Sequence, residues 1–186
     1  TNQAGQLIRF DVNMAFKPYR VVANDVVCED ITVVTLDCDL DIRAGEYVFV
    51  WIPGVGEKPF SCLTHDPVRL AVINVGEFTE RCYQLAPGDD IYLRGPHGVP
   101  VTPPSNAHIV CVAGGTGLAA VYQVAEDFGS AEQPADLFVG ARTANRLYFR
   151  DECDAVGRVT LATDDGSAGF HGLSLIHISE PTRLEP

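Results

Sequence analysis

Lysine is nearly missing from this sequence. Two residues, Lys17 and Lys58, stand against eleven arginines and 25 acidic residues, and the formal net charge is −12. A field of that sign repels phosphate backbones and anionic lipid headgroups, so neither nucleic acid nor a membrane surface is an expected partner. Long apolar runs are also lacking. None approaches the roughly 20 residues of a bilayer-crossing helix, and no charged-then-apolar leader opens the chain. A soluble, cytoplasmic protein is the expectation. The six cysteines (Cys28, Cys38, Cys62, Cys82, Cys111, Cys153) include no C-x-x-C pair. That spacing argues against zinc or iron–sulfur ligation by these thiols, and without a leader a disulfide framework is not expected either. Several sit in apolar runs, where a thiol acts as a small hydrophobe. Internal repeats and low-complexity tracts are absent as well.

What remains is enough for a packed core: 46% of residues are hydrophobic and the mean hydropathy is +0.08. Residues 1–16 read as an N-terminal arm, with Met14 a candidate start. At the other end, Leu173–Arg183 ("LSLIHISEPTR") matches the translation of a transposon-based sequencing-library adapter. Residues 173–186 are therefore set aside as non-native, and the parent protein is expected to continue past Gly172.

Between these ends the grammar changes once. Over residues 17–104, short runs such as "YRVVANDVVC", "ITVVTLDC", "EYVFVWI", "KPFSCL", "VRLAVINV" and "DIYLRG" are rich in β-branched and aromatic residues. Turn residues separate them at Arg43-Ala44-Gly45, Pro53-Gly54, His65-Asp66-Pro67 and Pro87-Gly88-Asp89. Six strands so spaced predict an antiparallel barrel, with a helix at Thr79–Leu85. Pro103-Pro104 marks the boundary. Over residues 105–172, "HIVCVA" reads as a parallel strand buried on both faces. A helical "TGLAAVYQVAEDFG", a strand "ADLFVGA", a helical "NRLYFRDECDAV" and a strand "RVTLAT" follow. This alternation predicts an incomplete doubly wound parallel sheet.

The strongest chemical signal is Gly114-Gly115-Thr116-Gly117, which follows a strand and opens a helix. Glycines there permit a tight turn and close approach of a pyrophosphate, and free amides at the helix start favour an anion. The alternative is an ordinary glycine-rich turn. No acidic residue ends the next strand. Arg142 lies there instead, facing either a phosphate or a surface carboxylate, so NAD and NADP both stay open. Asp164 and Asp165 follow the third strand, where ligands of open α/β sheets bind, although paired acids are also common in solvated turns. His97, between Pro96 and Gly98, reads as a turn residue and not as a catalyst.

Taken in order, "GEKPFS", "VGEFT", "LRGPHG", "VAGGTG", "GARTANRLYFRDE" and "ATDDGSAGFHG" resemble the ferredoxin-reductase superfamily. Within it they resemble the electron-transfer subunits of NAD-linked dihydroorotate dehydrogenases. The resemblance implies FAD held by Lys58 at the pyrophosphate, Phe60 at the ring system and Ser61 near its reactive edge, with Pro59 between them. Ala71, Val72 and Ile73 would line the flavin nucleotide through their backbone. Gly76, Phe78 and Thr79 match a second pyrophosphate segment. Gly114, Gly115, Thr116 and Gly117 would meet NAD(P), with Asp164 and Asp165 near it. Lysine at position 58, where many relatives have arginine, offers a point charge without the bidentate fork.

The resemblance further implies a [2Fe-2S] centre in the full-length parent only. It also implies a partner oxidoreductase subunit, an FMN-containing dihydroorotate dehydrogenase of pyrimidine biosynthesis. Reductase subunits of hydrogenases, sulfide dehydrogenases or transhydrogenases share these motifs, and a module that has lost FAD is the non-enzymatic alternative. The nicotinamide half as it stands is expected to bind its dinucleotide weakly or not at all.

Overall fold

The computed structural model describes residues 15–38 and 40–172. Nearly all of the N-terminal arm and the whole adapter-like tail lie outside the described residues. Seven antiparallel strands form the first sheet: β1 (Lys17–Cys28), β2 (Ile31–Asp37), β3 (Tyr47–Ile52), β4 (Gly56–Ser61), β5 (Thr64–His65), β6 (Val68–Ile73) and β7 (Asp90–His97). Their spatial order is β4-β3-β7-β1-β2-β6-β5. The two edge strands, β4 and β5, are separated in sequence only by Cys62 and Leu63. So short a link forces the sheet to curl until its edges meet, which makes it a barrel. Six strands are expected from the sequence and seven are found. The extra one is the two-residue β5, too short to leave a hydrophobic period.

Alternation fills the barrel. Along β3, Val48, Val50 and Ile52 are buried inside while Tyr47, Phe49 and Trp51 face outward. There they meet the outer side of β7: Trp51 against Tyr92 at 4.9 Å, Phe49 against His97 at 5.4 Å, and the Arg94 guanidinium 4.7 Å from the centre of Phe49. Helix α1 (Glu77–Tyr83) starts two residues earlier than its periodicity predicts. The cause is Thr79, whose hydroxyl accepts hydrogen bonds from the Val75 and Gly76 amides and donates to the Gly76 carbonyl. This closes the turn and starts the helix at Glu77.

The second sheet is parallel, in the order β11-β10-β9-β8, with β8 (Val110–Gly114), β9 (Ala135–Ala141), β10 (Gly157–Thr163) and β11 (Phe170–His171). Helices α2 (Leu118–Phe128) and α3 (Arg150–Val156) make the crossovers. Both pack on one face, where Cys111, Ala113, Leu137 and Val139 join Leu118, Tyr122 and Cys153 in a single core. The opposite face carries Val112, Phe138 and Thr160, all half-buried, and Val110, which is 52% exposed. Strand β8 is thus buried on one side, not both as "HIVCVA" suggests, because among the described residues no helix covers the other side. The expected single helix in "NRLYFRDECDAV" is also broken. A 3-10 turn at Ala144–Arg146 is followed by Leu147 and Tyr148, both buried, and by Phe149 in the left-handed region at φ 59°. Burial of those two side chains overrides the helical period.

The two halves share apolar contact. Ile31, Val33, Leu63 and Ala71 of the barrel belong to the same buried cluster as the parallel sheet and its helices. This continuity fixes a cleft between them.

Candidate dinucleotide cleft

The cleft has a volume of about 610 Å³, within the range of ligand sites. One wall is the barrel: Asp30 and Ile31 at the β1–β2 turn, and Ile73 and Val75 at the end of β6. The other wall is made by the C-terminal ends of three parallel strands, through Gly114 and Gly115, Gly140 to Arg142, and Asp164. Open α/β sheets bind ligands in this place because strand ends and helix starts leave backbone groups unpaired.

The glycine turn is built for close approach. Gly115 has φ +52°, a conformation that side chains rarely adopt. A Cβ added at Gly114, Gly115 or Gly117 would meet no atom within 4 Å, so protein packing does not explain why these positions are bare. The turn runs through a 3-10 segment at Gly115–Gly117 straight into α2, which aims early helical amides toward the strand ends. Thr116 and Gly117 lie in this turn but not on the cleft wall. Asp164 is on the wall and exposed. Asp165 is turned away: its Oδ1 accepts hydrogen bonds from the Ser167 hydroxyl at 2.6 Å and the Ser167 amide at 3.0 Å. These bonds, the hydroxyl's foremost, hold its carboxyl below the usual aspartate value. Asp165 shapes the loop that presents Asp164.

A second group of the expected residues gathers on the barrel. In β4, Lys58 and Phe60 pair with Val50 and Val48 and point to one side, while Pro59 and Ser61 point to the other. Phe60 stacks on Phe78 of α1, with centroids 6.1 Å apart, so "KPFS" and "GEFT" meet although 17 residues separate those rings in sequence. Lys58 is exposed and forms no ion pair among the described residues. Ala71 and Val72 send their side chains into the two cores. Among the described residues their backbone edge away from β2 has no strand partner, because β5 pairs only with Val68 and Arg69. The Thr79 hydroxyl is committed to the turn of α1 and engages the Gly76 amide. Of the residues expected from the sequence, then, Ile73, Gly114, Gly115 and Asp164 share the cleft. Lys58, Phe60, Phe78 and their neighbours form a separate patch on the barrel.

Two cleft residues escape sequence reading. Arg146 Nη1 lies 2.8 Å from Asp30 Oδ2, and its Nε lies 3.9 Å from Glu29. This pair ties the β1–β2 turn to the far wall. The other carboxylate oxygen of Asp30 is buried and has no partner among the described residues. The acidic turn Glu29-Asp30 was the available signal, but turns are acidic for many reasons. Arg142, by contrast, is exposed and pairs with no carboxylate among the described residues. It is the uncommitted cation of the cleft in an otherwise acidic molecule. Burial pushes the thiols of Cys62, beside Ser61, and of Cys82 each up to about 12, which keeps both protonated at neutral pH.

No family model matches the sequence. Among solved structures, the NADH-dependent reduced ferredoxin-NADP oxidoreductase superposes with a TM-score of 0.77 at 23% identity, over 90% of this chain and 64% of that one. A ferredoxin NADP+ reductase from Neisseria gonorrhoeae, with bound FAD and NADP, superposes with a TM-score of 0.72 at 15% identity, over 88% and 75%. The fold is therefore ferredoxin-reductase-like. In sequence, the chain is 35% identical over 171 residues to a probable dihydroorotate dehydrogenase B (NAD(+)), electron transfer subunit, of Methanocaldococcus jannaschii, covering 91% of this chain and 65% of that protein. A protein of the same description from Thermococcus kodakarensis is 32% identical over 157 residues, covering 83% and 66%.

In sequence the chain is similar to these electron transfer subunits, and in fold to the ferredoxin reductases. It spans just under two thirds of the length of these two relatives and 57% of a third, from Pyrococcus abyssi. The cleft lies where the barrel and the parallel sheet face each other. No helix among the described residues is long and apolar enough to cross a membrane.

Proposed function

We propose that this chain is the FAD- and NAD(P)-binding portion of an electron-transfer subunit that serves a partner oxidoreductase, a dihydroorotate dehydrogenase. The observation that carries the reading is the cleft itself. A glycine turn with bare, unobstructed backbone faces a barrel wall that includes Ile73, at the end of β6, where that strand has no partner on its outer edge among the described residues. The names of the curated relatives support the partner's identity.

The residues fit both groups. Lys58 supplies an unpaired cation for a flavin pyrophosphate, and Phe60 stacked on Phe78 supplies an apolar platform for a flat ring. The open β6 edge offers backbone hydrogen bonds to a polar nucleotide moiety. Across the cleft, Gly114–Gly117 and the start of α2 accept a second pyrophosphate, and Arg142 is placed for a further phosphate or a ribose. Bound flavin supplies hydride exchange with a nicotinamide and single-electron exchange with a further acceptor. The protein's task is to orient both groups and keep water from the space between them, so no side chain need act as nucleophile or base. Arg146 and Asp30 hold the two walls at a fixed separation.

The test separates the two sites. FAD and NADH binding to the purified chain are followed by flavin fluorescence and by calorimetry. Lys58→Met should weaken FAD about tenfold or more, the scale of one charge-assisted hydrogen bond, and leave the glycine turn untouched. Gly115→Val should leave FAD affinity within twofold and remove whatever NADH binding the chain retains. A chain that does not bind FAD, or a Lys58→Met variant with unchanged FAD affinity, overturns the assignment.

A further inference from the structure

On the side of the molecule where α2 packs against β5, three side chains with metal-ligand chemistry converge. His65 comes from the barrel; Glu126 and Asp127 come from the last turn of α2 in the parallel-sheet half. Their candidate ligand atoms all lie within 4.8 Å of one another. His65 Nε2 stands 3.7 Å from Asp127 Oδ1. That is too long for a hydrogen bond, and close to the roughly 3.4 Å that separates two ligands of a tetrahedral zinc ion with bonds of about 2.0–2.1 Å. The other ring nitrogen, Nδ1, is buried and has no partner among the described residues. The Tyr122 hydroxyl lies 3.5 Å from Glu126 Oε1 and steadies that carboxylate from behind. One helical turn before Asp127, Gln123 is buried with its amide nitrogen unpartnered.

We propose that His65, Glu126 and Asp127 form a site for a divalent transition-metal ion of the zinc class, bridging the two halves of the molecule. One imidazole and two carboxylates form a three-ligand zinc set, with water completing the shell. The −12 charge of the chain draws cations toward it. Because the ligands come from both sides of the α2–β5 seam, the ion acts as a staple. It favours the arrangement in which barrel and parallel sheet are docked, and it stabilises that arrangement by mass action as free metal rises.

The test uses zinc chloride and cobalt chloride on the full chain in chelator-free buffer. Binding is followed by calorimetry and by the visible absorption of low-symmetry Co2+, and domain docking by the melting temperature. One ion should bind per chain, the melting temperature should rise with zinc, and EDTA should reverse the rise. Glu126→Gln, a surface change that does not threaten folding, should weaken zinc at least tenfold, and His65→Gln should abolish the cobalt band. Cys28→Ser, remote from the site, should leave both readouts unchanged. Zinc affinity unaltered by Glu126→Gln and His65→Gln overturns the proposal, as does the absence of saturable binding. These readouts need neither flavin nor nicotinamide, so their failure leaves the electron-transfer reading standing.

Discussion

The two halves of this molecule build their interiors differently. The barrel core runs from Tyr19 to Leu93 and takes every one of its buried residues from the barrel half itself. The core of the parallel sheet does not close on its own. It includes Ile31, Val33, Leu63 and Ala71, all contributed by the barrel. The link between β4 and β5 shows how this arises: consecutive residues point to opposite sides, so Cys62 enters one core and Leu63 the other. A sheet with helices on one face and a half-exposed second face has little interior of its own, and it borrows from its neighbour. The dependence therefore runs one way.

That asymmetry can be broken by two substitutions of equal chemistry. Leu93 and Leu137 are each 1% exposed, one in each core. Removing either side chain should cost about 2–5 kcal/mol, the usual range for a buried leucine truncated to alanine. The consequences should differ in extent. Leu93→Ala should lower hydrogen-exchange protection throughout the chain, because the parallel half leans on the barrel. Leu137→Ala should strip protection from residues 110–163 and leave the barrel strands protected. Equal loss of barrel protection in both variants would show that the two halves form one cooperative unit.

Much of this division was legible in the sequence, because it rests on periodicity. Alternation in "YVFVWI" and the strand–glycine–helix grammar around Gly114 are local properties and survive into the structure. What was not legible depends on distant neighbours. The two-residue β5 exists only because Val68 and Arg69 pass beside Thr64 and His65. The helical pattern of "NRLYFRDECDAV" fails because Leu147 and Tyr148 have a core to enter. The same holds for the cleft. Glycines announce themselves by type, whereas Asp30 and Arg146 become a pair only when the 115 residues of intervening chain have folded.

That pair offers a smaller test of the same comparison. Arg146 and Asp30 are 26% and 21% exposed at the side chain, between the buried and the solvated case. Their coupling should be about 1 kcal/mol, at the upper end of the range for surface ion pairs. A double-mutant cycle with Arg146→Met and Asp30→Asn isolates it. Arg146→Met alone should cost more than the double variant, because it leaves the Asp30 carboxylate, one oxygen already buried and unpartnered, without its cation. If the two single changes simply add, the pair does not tie the cleft walls together, and the shared apolar cluster alone sets their separation.

The smallest expected effect is the most direct probe of the parallel sheet's bare face. Val110 and Cys111 are neighbours on β8, and their side chains take opposite sides. Val110 is 52% exposed and Cys111 4%. Making each polar with little change of shape, as Val110→Thr and Cys111→Ser, should separate the two faces by energy. The first exchanges a methyl already in water for a hydroxyl and should fall within about 0.5 kcal/mol of zero. The second buries a hydroxyl among Leu118, Tyr122 and Leu137, and should cost about 1–3 kcal/mol unless the new oxygen finds the Val121 carbonyl that the thiol now approaches at 3.5 Å. A large penalty at Val110, measured by urea unfolding, would mean that something covers this face in solution. The borrowed core would then not be the reason the sheet holds together.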